Sequence, residues 1–290
     1  MPRLLIAGCG YVGQATADLF LSAGWKVEGW IVSGKSATAL SAKPYPISQI
    51  DISNRDQVAN LPGRFDAVIH CASSRGGGVE DYQKIYLNGA RNLLDRFAGV
   101  RMLFTSSTSV YAQRDGSWVT EESETKPVRE TGRILLETEN FVLRRRGIVI
   151  RRAGIYGPGR SALLSRFLAG TAIIDLENDR FVNQVHRDDI ASAIFHLLTQ
   201  KPKGTQIFNV VDDEPTLQSD CYRWLTQRLN RPLPPTAKIT TQRKRGDSNK
   251  RVSNGKLRHR DWTPRYLTFA EGMEKSVFQS FPEIVSSVSH

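Results

Sequence analysis

Cysteine is scarce in this chain of 290 residues: there are three, Cys9, Cys71 and Cys221, far apart in sequence. An odd, scattered set argues against a disulfide framework or a zinc site and suits a reducing compartment. No His/Cys/carboxylate spacing suggests any other metal. Long apolar runs are missing too, so no membrane span is expected. The apolar start is too short and too early for a signal peptide, and glycines interrupt it. These absences together predict a cytoplasmic protein with no membrane partner. Internal repeats and low-complexity segments are also lacking. Acidic residues are outnumbered, 29 against 40 Lys and Arg, which leaves a net charge of +11. The basic excess concentrates late, in Lys238, Arg243, Lys244, Arg245, Lys250, Arg251, Lys256, Arg258 and Arg260. Three readings stay open for it: a solvated surface loop, a site for a phosphorylated small ligand, or a nucleic-acid contact. Few aromatics stand there to stack bases, which weighs against the last.

What is present is most informative at the start. Leu4-Leu5-Ile6-Ala7-Gly8-Cys9-Gly10-Tyr11-Val12-Gly13-Gln14 reads as an apolar strand, a G-x-G-x-x-G turn and the opening of a helix. That order suits a dinucleotide's diphosphate. Gly8 permits a tight turn, Gly10 lets the backbone approach the phosphates, and Gly13 lets the helix sit close on the strand. The first amides of the helix, around Tyr11 and Val12, then face the anion at the positive end of the helix dipole.

Strand-like runs at 3–7, 26–32, 67–71, 101–105 and 147–151 alternate with helix-like runs at 13–23, 79–97 and 128–144. A further helix is expected at 187–200 and a strand at 206–211. Such alternation predicts an α/β fold, a Rossmann-type doubly wound parallel sheet with a smaller C-terminal substrate lobe. The expected NAD(P)-binding domain spans 1–165 and is completed by 185–212; residues 166–184 and 213–290 form the lobe.

The cofactor reading extends along the strand ends. The second strand ends in Ile31-Val32-Ser33-Gly34-Lys35, with no carboxylate for an adenosine ribose. Ser33 and Lys35 offer a hydroxyl and an ammonium suited to a 2′-phosphate, which favours NADP over NAD. Glu28 sits too near the start of that strand. Asp51-Ile52 is expected to end the third strand, with Asp51 accepting from adenine or capping the next helix. Cys71, Ala72 and Ser73 end the fourth with small side chains that let a cofactor pass close.

Several segments together resemble the extended short-chain dehydrogenase/reductase superfamily, specifically its NAD-dependent epimerase/dehydratase family. They are the glycine turn, Phe104-Thr105-Ser106-Ser107-Thr108-Ser109-Val110-Tyr111, Gly89-Ala90-Arg91-Asn92-Leu93-Leu94, Arg151-Arg152-Ala153-Gly154-Ile155-Tyr156-Gly157-Pro158-Gly159-Arg160, Val185-His186-Arg187-Asp188-Asp189-Ile190-Ala191 and Phe208-Asn209-Val210. The resemblance implies a Rossmann fold, bound NAD(P) and often a nucleotide-sugar substrate.

The likeness breaks at the family's Tyr-x-x-x-Lys, a pair that i,i+4 spacing puts on one helical face. If Glu137 matches the family's glutamate, Arg133 stands at the lysine and Arg129 at the tyrosine. An arginine stays protonated and cannot shuttle a proton. Arg133 can still donate to ribose hydroxyls and supply charge. This departure resembles the superfamily's atypical subgroup, and Tyr86 standing where many relatives have asparagine adds to it. Ser107 is the first candidate to polarise a substrate oxygen. Tyr111 is a candidate acid/base, with Tyr82, Tyr86 and Tyr156 as further phenols. Tyr156, His186 and Arg251 are candidate substrate contacts, with Arg251 in a loop resembling one that holds a phosphorylated ligand.

Three functions follow. One is an NAD(P)-dependent oxidoreductase or epimerase/dehydratase-like enzyme for a carbonyl compound or nucleotide sugar. The second is a catalytically silent NAD(P)-binding sensor or scaffold. The third and weakest is a nucleic-acid binder. A homodimer is compatible with each.

Overall fold

The computed structural model describes residues 1–200, 206–238 and 248–281. Seven strands form its main sheet: β1 (Arg3–Ala7), β2 (Lys26–Ile31), β3 (Ile47–Gln49), β4 (Ala67–His70), β5 (Arg101–Ser107), β6 (Ile148–Arg152) and β7 (Ile207–Val210). Their spatial order is β7-β6-β5-β4-β1-β2-β3. The sequence winds outward one way from β1 to β3, returns to β4 on the other side of β1, and winds outward again. This is the doubly wound α/β arrangement expected from the strand-helix alternation. Registers such as Leu5 against Glu28 and Val68, and Val68 against Met102, are parallel. A parallel strand covered on both faces must be apolar on both. Leu4 to Ala7 of β1 and all of β4 are accordingly buried.

Six α-helical pieces lie between β1 and β6: α1 (Tyr11–Ser22), α2 (Gly34–Ala39), α3 (Arg55–Ala59), α4 (Val79–Tyr82), α5 (Gly89–Arg96) and α6 (Glu130–Arg144). In α1, Val12, Gly13, Thr16, Ala17 and Phe20 face inward at helical spacing. Gly24, at φ +82°, takes the left-handed conformation that ends it. The expected helix over 79–97 is continuous but contains a π-helical stretch, Gln83–Asn88. The long helix Arg187–Gln200 is also present.

Packing divides the chain into two compact units. The first holds Met1–Val110, Thr125–Arg151 and Ile190–Phe208; the second holds Tyr111–Glu124, Arg152–Asp189 and Asn209–His290. These boundaries differ from those drawn on the sequence, which gave 111–124, 152–165, 185–189 and 209–212 to the first part. Hydrogen bonds explain the difference. Tyr111 Oη donates to Asn209 Oδ1 at 2.9 Å, and the Asn209 amide donates to Glu121 at 2.7 Å. Within the second unit, Trp118–Val119 pairs in parallel with Arg251–Val252, and Gly154–Tyr156 with Gln184–His186. Its core gathers Tyr156, Leu164, Phe167, Tyr222, Leu225 and Met273.

Candidate functional site

In the first unit the three glycines behave differently from one another. Gly8 has φ +99°, and a Cβ there would stand 2.2 Å from the Ala72 amide nitrogen. A Cβ on Gly13 would stand 2.5 Å from the Gly8 carbonyl oxygen. A Cβ on Gly10 would meet nothing within 4 Å. Two glycines are therefore demanded by the fold, and the third borders open space. The Gly8 and Cys9 amides both donate to the Trp30 carbonyl at 2.9 Å, which ties the turn to the end of β2. Because α1 begins at Tyr11, the Val12 and Gly13 amides have no carbonyl four residues back within the helix. Empty space above Gly10, with helix-opening amides beside it, fits a diphosphate.

Ser33 caps α2, its Oγ accepting from the Ser36 amide at 3.4 Å. Lys35 lies in the first turn of that helix. Glu28 is taken by Trp30, whose Nε1 donates to it at 2.8 Å. Asp51 does not end β3, which stops at Gln49. Nor does Asp51 cap α3: Asn54 does, accepting from the Gln57 amide at 3.0 Å. The Asp51 carboxylate accepts instead from the Ser53 amide and hydroxyl at 2.9 and 2.8 Å. Ile52 is buried, and its carbonyl accepts from Asn92 Nδ2. Past β4, the Cys71 amide donates to the Ala7 carbonyl at 2.8 Å, so 71–72 lies against the glycine turn. Ser73 Oγ accepts from the Arg75 amide. The structure thus brings the turn, the end of β2 and the start of the post-β4 loop together.

Ser107 ends β5 half-buried, its Oγ accepting from the Ser109 amide at 3.2 Å. The preceding Ser106 is buried and donates to Glu139 of α6 at 2.5 Å. Glu139 also accepts from Arg151 Nη2 at 2.7 Å and from its Nε, an ion pair almost closed to solvent. Arg133 lies on the exposed face of α6, paired with Glu130 at 2.7 Å. Glu137 is also exposed, paired with Arg91 at 3.2 Å. Both help line a surface hollow of about 650 Å³ with Lys126, Val128 and Leu136.

Of the phenols, Tyr111 is buried and bonded to Asn209. Tyr156 is buried, donates to the Thr268 carbonyl at 3.4 Å, and stands edge-on to His186. Burial, then the carboxyls of Asp212 and Asp189, push the Tyr156 hydroxyl far above the ordinary phenol range. Tyr86 is buried beside His70 and accepts from the Ser74 amide at 3.3 Å. His186 Nδ1 accepts from the Asp188 amide, so its Nε2 carries the proton and donates to Ser276 at 2.9 Å. Burial holds His186 well below the ordinary imidazole range, as a neutral ring. Arg251 is gripped: its guanidinium lies 5.3 Å from the Trp118 ring and 5.0 Å from Phe181, with Nε donating to the Gly116 carbonyl at 2.7 Å. Elsewhere in the basic stretch, Lys238 pairs with Glu177 and Arg258 with Asp213. Arg243, Lys244 and Arg245 lie outside the described residues. Among the described residues no helix is long and apolar enough to cross a membrane, and no group of three His, Cys, Asp or Glu is placed to hold a metal.

The model of the NAD dependent epimerase/dehydratase family matches residues 4–210. The chain belongs to this family. It is similar to Protein YeeZ of Escherichia coli strain K12, at 33% identity over 226 residues, covering 72% of this chain and 77% of that one. Its fold is similar to a UDP-glucose 4-epimerase of Thermotoga maritima solved with UDP-glucose, with TM-score 0.82 and 17% identity over 98% of this chain and 99% of that one. A dTDP-glucose 4,6-dehydratase of Bacillus anthracis, solved with NAD, gives TM-score 0.79 at 16% identity over 99% and 98%.

Helix α6 contains neither tyrosine nor lysine, whatever register is chosen. Sequence reasoning anchored that register on Glu137, yet Glu139 is the buried carboxylate that ties α6 to β5 and β6. The available signal was its phase. Glu139 shares the inward stripe with Leu135, Thr138 and Val142. His70 was passed over as well. It is fully buried at the end of β4, Nε2 donates to the Ile85 carbonyl at 3.0 Å, and Nδ1 has no partner. That carbonyl lies in the π-helical stretch, where the ordinary helical ladder is broken.

Proposed function

We propose that the first unit binds a nicotinamide dinucleotide across the turn between β1 and α1. We propose further that the chain is an oxidoreductase or epimerase/dehydratase-type enzyme for a carbonyl compound or nucleotide sugar. The observation that carries this reading is the open space at Gly10, flanked by two glycines closed against backbone. When bound, the dinucleotide supplies the hydride donor or acceptor. The amides of Val12 and Gly13 hold the diphosphate, and Cys71, Ala72 and Ser73 let the cofactor pass close to the backbone. Ser33 and Lys35 meet a 2′-phosphate, which makes NADP the preferred form. Ser107 polarises the substrate oxygen. The hydroxyls of Tyr111 and Tyr156 are buried and engaged, which favours a water-borne proton over a phenol.

The second reading, a catalytically silent dinucleotide-binding protein, draws its support from α6, which offers no phenol and no ammonium. Two measurements separate them. Fluorescence titration is expected to show NADPH bound more tightly than NADH. Ser33→Ala with Lys35→Ala should weaken NADPH roughly tenfold, the worth of one charge-assisted hydrogen bond, with little change for NADH. Affinity for neither dinucleotide sinks both readings. Turnover of any aldehyde, ketone or nucleotide sugar in a panel supports the enzyme, and tight binding with no turnover supports the silent protein.

A further inference from the structure

A parallel sheet has two unlike ends, and the proposed dinucleotide needs only the carboxyl one. At the amino end the chain gathers positive charge. Arg3 opens β1, and Lys26 opens β2 opposite it in register. Arg101 opens β5 opposite Ala67, the first residue of β4. The turn into β6 joins the same end, because a Cβ on Gly147 would stand 2.9 Å from the Met102 carbonyl oxygen. That turn carries Arg144, Arg145 and Arg146, all exposed. The loop into β4 adds exposed Arg64. Arg96 reaches this loop from the end of α5, its Nε donating to the Leu61 carbonyl at 2.9 Å.

Eight cations thus meet at one end of the first unit's sheet, while the segments that bear them, 1–3, 24–26, 61–66, 95–101 and 144–147, hold two carboxylates. Neither offsets much. Asp66 accepts from the Arg3 backbone amide at 2.7 Å, and Asp95 stands 3.6 Å from Arg145. Among the described residues, the side chains of Arg3, Lys26, Arg64, Arg101, Arg144 and Arg146 form no ion pair. Arg101 is half-buried in mid-row, with Nη1 lacking an acceptor. Residues 201–205, which precede β7 and lie outside the described residues, read Lys-Pro-Lys-Gly-Thr and bring no carboxylate. The fold asks for little of this charge. A helix C-terminus carries about half a negative charge, yet α6 runs out into three arginines. Strands, which hold Arg3, Lys26 and Arg101, have only small net dipoles.

We propose that the amino end of this sheet binds the phosphate backbone of a nucleic acid, without regard to sequence. Seven of the eight cations are arginine, whose planar fork meets phosphate oxygens two at a time. Three are stacked on rings: Arg3 lies 5.0 Å from Phe65, Arg96 4.8 Å from Phe97 and Arg145 5.3 Å from Phe141. Side chains held in this way lose less freedom on binding. Strands lie about 4.8 Å apart, so the row from β6 to β2 spans about 19 Å. Each strand of a duplex sets a phosphate about every 3.4 Å along the axis, so the row faces several in succession. Among the described residues, Met1 is the one large exposed apolar side chain at this end, too little apolar area to hold the protein on a lipid surface. The proposal also moves the nucleic-acid contact away from the late basic stretch, where Lys238 and Arg258 are paired with Glu177 and Asp213. It does not depend on the dinucleotide reading, which concerns the opposite end of the sheet.

Fluorescence anisotropy of the full chain tests it, with a labelled DNA duplex of about 25 base pairs and a labelled RNA single strand of about 25 nucleotides. At about 50 mM KCl at least one probe should bind with a Kd of about 10 μM or lower, the scale of phosphate-driven contact. Its log Kd should rise with log salt at a slope of about 3, as for roughly four neutralised phosphates. Lys26→Ala with Arg64→Ala and Arg144→Ala removes three exposed cations. This variant should melt like wild type, bind at least tenfold more weakly and lose about 2 from the salt slope. Should it not fold, Lys26→Ala with Arg144→Ala carries the test, with a slope lower by about 1.5. Lys238→Ala with Arg258→Ala should bind like wild type. Saturating NADPH should leave the Kd unchanged. The proposal is overturned if neither probe binds, if the folded variant at this end binds like wild type, or if the late-stretch variant loses binding instead. It is overturned too if NADPH displaces the nucleic acid, or if phosphatidylserine vesicles or poly-glutamate bind where both probes do not.

Discussion

At the scale of single residues, the glycines of the first turn separate a structural demand from a functional one. A methyl on Gly13 would press on the Gly8 carbonyl at 2.5 Å and on Ile6 Cγ2 at 3.2 Å. Overpacking of this kind costs about 1–3 kcal/mol. A methyl on Gly10 meets no protein atom, and its φ of −90° strains no L-residue. Gly10→Ala should therefore keep its unfolding free energy within about 0.5 kcal/mol of wild type, as open positions usually do. It should nevertheless lose dinucleotide binding, because the methyl occupies the space the diphosphate needs. Gly13→Ala should lose stability first. Urea melts beside fluorescence titrations read both effects. Unchanged affinity in Gly10→Ala would mean that the ligand does not cross this turn.

At the scale of elements, what could be read from the sequence and what could not divide along sequence distance. β1, β4 and β5 were visible because strands buried on both faces are continuous apolar runs. α1 was visible from its glycine entry, its inward stripe and Gly24. The π-helical stretch Gln83–Asn88 was not, since it accompanies a hydrogen bond from His70, thirteen residues before it at the nearest. Asp51 was misplaced because Ser53 lies two residues away and outcompetes the more distant helix end. The role of Glu139 was hidden because its partners, Ser106 and Arg151, lie 33 and 12 residues away. Those partners make α6 sensitive in one specific way. Glu139→Leu leaves the Arg151 guanidinium buried without its carboxylate, and breaking such a pair costs about 3–5 kcal/mol. Removing both, as Glu139→Leu with Arg151→Met, should recover most of that loss. Chemical denaturation checks this. A double variant no more stable than the single would show that the pair is not the coupling between α6 and β6.

At the scale of the whole molecule, buried titratable groups set two opposing slopes of stability against pH. Burial lowers His70 to about 4 and holds His186 below its ordinary range, so the unfolded chain takes up protons that the folded chain refuses. Below the imidazole value of ~6.5, these groups make stability rise with pH. Asp189 acts the other way. Burial raises its carboxyl to about 6, against the amides of Arg265 and Tyr266, which donate to it and favour its charge. Between about 4 and 6 the folded chain therefore holds a proton at Asp189 that the unfolded chain has released, and stability falls as pH rises. Asp212 adds to that fall, being buried with Oδ1 unpartnered and raised well above the carboxylate range by burial and then Asp213. The opposing slopes partly cancel in the wild type. Asp189→Asn removes one falling term, so its stability should climb more steeply between pH 4 and 6. The change in slope approaches about 1.4 kcal/mol per pH unit, the value for one proton. His186→Gln removes a rising term and should tilt the profile the other way below pH 6.5. Urea melts at several pH values give these slopes directly, and parallel profiles for wild type and Asp189→Asn would show that this carboxyl is ionised in the folded protein throughout.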